Sequence, residues 1–181
     1  MYKELISWLK QKGIKVEAGL TDNEISKVQT IYEILFPESF RFFLMEGLPV
    51  SRGFYNWRNT EQTNIEFIKR MIAMPIDTID EVVKEICWCD DWGKEPQNAM
   101  EAEITIRKKL HEAPKLLPVY GHRYMPMLSG VQVPVISVHG TDIIYYGESL
   151  SDYFYIEFGT KKQEEIDFDS IRPIPFWSDI M

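Results

Sequence analysis

Cysteine, histidine, positive charge and long apolar runs are all scarce in this chain, and each scarcity removes a class of protein. Two cysteines in 181 residues make no disulfide framework. Apolar stretches such as Phe42-Phe43-Leu44-Met45 fall far short of the roughly 20 residues a membrane span requires, so no membrane partner is expected. Met1-Tyr2-Lys3-Glu4 leads into an amphipathic segment and not into a signal-peptide pattern, which makes a cytoplasmic location the expectation. Lys and Arg number 20 against 28 Asp and Glu, a net charge of −8, and a chain so acidic repels nucleic acid unless a local basic patch intervenes. Gly-x-Gly never occurs and no Gly-x-Ser-x-Gly elbow is present, so neither a phosphate-cradling loop nor a hydrolase nucleophile is signalled.

Core-forming residues are plentiful: 45% of the chain is apolar and 13% aromatic, enough to bury a core and exclude wholesale disorder. Leu5, Trp8 and Leu9 fall at helical spacing with Gly13 placed to stop that helix. Thr21 and Glu24 form a capping box, with Leu20 and Ile25 as the two sides of a hydrophobic staple. A helix from Thr21 should therefore bury Ile25, Val28, Tyr32, Leu35 and Phe36. Pro37 suits the start of a short helix carrying Phe40, Phe43 and Leu44, with Gly47 as its stop. Leu48 to Asn59 reads as a loop holding Phe54, Tyr55 and Trp57. Ile65, Ile68 and Ile72 mark a further helix ending near Pro75, and Ile79, Val82, Val83 and Ile86 a short separate one. From Asn98, the positions Ala99, Glu103, Ile106, Leu110 and Ala113 share one helical face, and Glu103 to Arg107 is a favourable i,i+4 pair.

After Lys115 the period changes. Leu116 to Tyr120, Val133 to Val138 and Ile143 to Tyr146 are short β-branched runs of strand length. Gly121 to Pro126 connects the first two, and His139-Gly140-Thr141-Asp142 reads as a hairpin turn between the others. Tyr153 to Phe158 fits either a strand by alternation or a helix entered at Ser149 and Asp152. The last twenty residues are an acidic connection and a proline-spaced apolar tail. The simplest reading is one α+β domain over residues 1–181, a helical N-terminal half followed by a small, mainly antiparallel sheet, with its core at about 20–158 and the tail at 160–181.

The chemistry-bearing residues are few. Cys87 and Cys89 lie one residue apart with no second pair, and His111, His122 and His139 are dispersed, so no zinc spacing exists and burial of the thiols beside Trp88 and Trp92 is the better reading. Asp90 and Asp91, adjacent in a strand or loop, point in different directions, and Glu101 and Glu103, two apart on a helix, do not face each other, so both pairs read as solvated surface. Lys69-Arg70 and Arg107-Lys108-Lys109 sit on helix faces among acids. No catalytic residue, metal or cofactor is expected. The polar candidates for binding are His122, Arg123, Tyr124 and Asp142, at strand ends or in connections where a scaffold holds binding groups, together with Tyr55 and Trp57. Arg123 either recognises a partner's carboxylate or ring or forms an internal pair, with Asp142 as the obvious partner.

Leu117-Pro118-Val119-Tyr120-Gly121-His122-Arg123-Tyr124-Met125-Pro126, then Pro134 to Val138 and Thr141-Asp142-Ile143-Ile144-Tyr145-Tyr146-Gly147, with Gly53 to Arg58 and the helices of residues 20–44, resemble the SUKH superfamily, the Smi/Knr-like proteins, over most of residues 20–158. Val133, His139 and Gly140 stand where that pattern has Asn, Tyr and Gln. The resemblance implies helices around a curved sheet, no shared catalytic residues, and a role in binding proteins. It suggests an immunity protein that neutralises a bacterial toxin by direct association, with a regulatory or scaffold domain binding a small ligand or a cellular enzyme as the alternative. The negative charge favours a basic toxin domain as partner, through electrostatic steering.

Overall fold

The computed structural model describes residues 2–130 and 132–181, and its architecture is α+β with two antiparallel sheets. Helix α1 (Lys3–Gln11) buries Leu5, Ile6 and Leu9. Strand β1 (Val16–Ala18) follows, then α2 (Asp22–Tyr32), α3 (Glu38–Glu46) and β2 (Gly47–Pro49), which pairs antiparallel with β1. The capping box is present in full. Glu24 N–H donates to the Thr21 hydroxyl at 3.2 Å and Thr21 N–H donates to the Glu24 carboxylate at 2.8 Å; Leu20 and Ile25 are both buried beside it.

Two expectations fail in this region for local reasons. Glu33 turns left-handed at φ 52° and ends α2 before Leu35, so Ile34 and Phe36 go inward and Leu35 is left 66% exposed. Leu48 and Pro49 belong to a strand and not to a loop, because α3 delivers the chain directly alongside β1.

Helix α4 (Gln62–Glu81) runs straight through Pro75, where the sequence suggests two helices. Proline inside a helix costs about 3 kcal/mol. Here Ile68, Ile72, Pro75 and Ile79 form one buried stripe at helical period, and burying that stripe outweighs the lost hydrogen bond. After 3-10 turns at Val83–Glu85 and Asp90–Trp92 comes α5 (Ala99–Glu112), whose first turn is capped by the Asn98 side chain accepting from Met100 N–H.

The main sheet has the order β3-β4-β5-β6, from β3 (Leu116–Tyr120), β4 (Arg123–Pro126), β5 (Val135–His139) and β6 (Asp142–Gly147). Strand β4 occupies what reads as a connection in the sequence, so Arg123 and Tyr124 lie on a strand between two others. The His139–Asp142 pair closes the last hairpin around Gly140 at φ 64°, a left-handed position that glycine adopts without strain. Helix α6 (Leu150–Glu157) settles the ambiguous segment, its Ser149 cap accepting from Asp152 N–H.

Alternation along the sheet divides two cores. Leu117, Val119, Met125 and Val135 face α1–α4 and α6. Leu116, Tyr124, Ile136 and Val138 face Ile79, Ile106, Leu110 and the chain's end. The proline-spaced tail is part of that second core: Ile174 and Trp177 are fully buried, and the Trp177 indole donates to Pro114 O at 2.9 Å. A sheet covered on both faces reads as continuous apolar runs instead of simple alternation, as Leu116 to Tyr120 does. Among the described residues no helix is long and apolar enough to cross a membrane.

Candidate functional site

Strand β4 brings several of the sequence-derived candidates together, but mostly to one another. Arg123 sits opposite Ser137 in the β4–β5 register and donates to its hydroxyl at 2.8 Å. The guanidinium carbon lies 3.9 Å from the Tyr146 ring centroid, and Nε is 3.3 Å from Glu157 Oε2 on α6. The two side chains are only 12% and 19% exposed. Arg123 is thus held by an internal ion pair, as one of the two readings of the sequence has it. The partner is Glu157 and not Asp142, which stands exposed at the β5–β6 turn. The facing pair is off-line for a hydrogen bond, so Arg123 Nε and Glu157 Oε2 both lack a hydrogen-bond partner, as does the buried Tyr153 hydroxyl. Burial pushes the Tyr153 phenol well above its usual range, with the Glu157 charge adding to it.

The other candidates scatter. Trp57 is 2% exposed, set edge-on to Tyr32, Phe36 and Phe40. Tyr124 is fully buried in the second core. Neither presents surface to a partner. Tyr55 is buried and donates its hydroxyl to Gly121 O at 2.6 Å, fixing the loop before Trp57 to the β3–β4 turn; burial raises its phenol to about 12. His122 remains at the surface of that turn, its ring centroid 5.5 Å from that of His139. Partial desolvation, then Arg123 and His139, holds the His122 imidazole below its usual range.

Arg58 is a structural anchor the sequence does not announce. Its Nε donates to Glu24 at 2.7 Å, and its Nη2 to Ala18 O and Gly19 O at 2.9 Å each. With the Thr21 amide also donating to Glu24, this drives the Glu24 carboxyl down to about 2.

A surface groove lies elsewhere, between α5 and the irregular segment before it. A groove of about 410 Å³ there has Val83, Ile86, Trp88 and Ile106 on its walls, with Glu95 and Glu103 among its polar groups. Lys84, its lysine, lies 4.0 Å from Glu103. Along the exposed side of α5, Met100 and Ile104 stand one turn apart and 69% and 61% exposed. The sequence signal is their i,i+4 spacing away from the buried Ile106–Leu110 face. Cys87 is exposed and Cys89 partly so, contrary to the expected burial, because the segment runs over the surface. Among the described residues no three His, Cys, Asp or Glu side chains come together as a metal cradle.

No protein-family model matches the chain, and neither a curated protein nor a solved structure matches it. The resemblance to the SUKH superfamily therefore rests on the sequence motifs alone.

Proposed function

We propose that this chain is a non-catalytic protein-binding domain that neutralises a basic, toxin-type protein domain by direct association. The observation that carries this reading is the segregation of charge. Residues 1–76 hold nine acids against ten Lys and Arg, whereas residues 77–112 hold ten acids against five. That excess lies on the C-terminal end of α4, with Asp77, Asp80 and Glu81, and on the segment that follows it, while α5 balances three acids with three bases and residues 113–181 add nine acids against five. Such acidity attracts a cationic protein and speeds its approach. The engagement of Arg123 with Glu157, Ser137 and Tyr146 supports the same reading, since it leaves this arginine to the fold and not to a small ligand. The SUKH-like motifs point to the immunity class.

The test is biological and physical together. A basic domain captured by the tagged chain should arrest growth when expressed alone, and co-expression of this chain should restore growth through a complex stable in gel filtration. A captured partner whose expression is harmless, or whose toxicity co-expression leaves untouched, contradicts the proposal.

A further inference from the structure

We propose that the groove between α5 and residues 83–95 is the docking site, and that it takes a cationic amphipathic segment of the partner, one apolar side chain seated against Trp88 and flanking Lys or Arg beside the acids. The inference rests on the proposed function for the existence of a basic partner, but the choice of face comes from the groove itself.

Val83 and Ile106, on its walls, are part of the second core. The groups it offers a partner are the half-buried Trp88 and Ile86 and the exposed Met100, an aromatic ring and an adaptable methionine being residue types enriched at protein interfaces. Trp88 is half-buried and its indole N–H is already satisfied by Gly93 O at 2.8 Å, so its ring meets an apolar group without stranding a donor. Met100 and Ile104 extend the apolar strip outward along α5. An exposed apolar strip beside a formed groove marks an interaction surface, whereas isolated exposed residues do not.

Charge selects the occupant. Glu103 is answered by Arg107, which donates to it at 3.1 Å, with the exposed Lys84 4.0 Å away. Residues 83–103 still set six acids, Glu85, Asp90, Asp91, Glu95 and Glu101 exposed among them, against Lys84 and Lys94. An anionic or purely apolar segment would leave these carboxylates unanswered; a cationic one meets them at the rim, where complementarity sets rate and partner choice. The groove lacks the convergent set of polar groups that orients a small molecule.

The experiment titrates the full chain with a synthetic amphipathic helix of Leu and Lys, and with the same peptide carrying Glu in place of Lys, by calorimetry and tryptophan fluorescence. Saturable 1:1 binding of the cationic peptide with a change in emission is expected, and none for the anionic one. Ala102→Arg, which fills the groove, and Met100→Lys, at a position exposed enough to leave the fold intact, should each weaken binding at least tenfold. Gln11→Arg, the same charge change as Ala102→Arg on distant α1, should leave it unchanged. Equal binding by all variants would overturn the groove while leaving a basic partner in place. Binding of neither a basic peptide nor any captured basic domain would overturn both readings.

Discussion

Arg123 shows how a residue with the marks of a binding group serves the fold. Its guanidinium links strand β5 through Ser137, β6 through Tyr146 and α6 through Glu157. Removing one member of a buried ion pair strands the other charge, which costs about 3 kcal/mol or more. Arg123→Ala should therefore lower stability by about 3 kcal/mol in urea unfolding, and pairing Arg123→Met with Glu157→Leu should recover most of that loss. A binding role would leave the midpoint nearly unmoved. Tyr153 gives the complementary case. Its buried hydroxyl finds no partner, so Tyr153→Phe removes a desolvated group and should stabilise the protein by about 1 kcal/mol. Glu24 supplies the acid response. Its folded carboxyl lies near 2, below its unfolded value, so the folded state binds its proton less readily than the unfolded chain. The stabilisation is present above the unfolded carboxyl range and is lost as pH falls toward about 2. Glu24→Gln should flatten that part of the stability–pH curve while leaving the neutral-to-alkaline part parallel to wild type.

At the scale of elements, sequence was informative wherever a side chain acts on its own neighbourhood. The Thr21–Glu24 box, the Asn98 start of α5 and the Gly140 turn are local chemistry, and all are present. It misled where distant packing decides. Pro75 reads as a stop, but the buried stripe from Ile68 to Ile79 carries α4 across it. Strand β4 reads as a connection because Gly121-His122 begins it and Pro126 ends it, while its pairing with β3 and β5 is not encoded within its own residues. The candidate site divides in the same way. The polar character of His122 to Tyr124 was legible, but the burial of Tyr124 and the identity of Arg123's partner depend on which face of a doubly covered sheet each residue takes. The tail is the strongest instance: nothing in its sequence says that Trp177 fills the second core. Trp177→Ala should cost about 3–5 kcal/mol, as a core aromatic does, whereas a surface appendage would change stability by no more than about 0.5 kcal/mol. Chemical denaturation with an unchanged m-value distinguishes the two.

At the scale of the molecule, a near-neutral helical N-terminal part accompanies an acid-rich remainder, and the main sheet packs between two cores with its edge strand β6 partly exposed, Ile144 at 39%. The surface proposed for recognition is the acid-rich side with its groove. Exposed charges steer partners over a Debye length of about 8 Å at physiological salt and about 3 Å at 1 M. Association with a basic partner should consequently slow by about tenfold or more from low to high salt, with a smaller change in dissociation. The most direct test of the account is parallel affinity capture from the source organism's lysate with wild type, Gln11→Arg and Met100→Lys as baits, followed by co-expression of what is captured. The account predicts a basic-domain protein retained by wild type and Gln11→Arg, lost from Met100→Lys, and toxic unless this chain is co-expressed. Identical capture by all three baits, or a captured protein without toxicity, would contradict it.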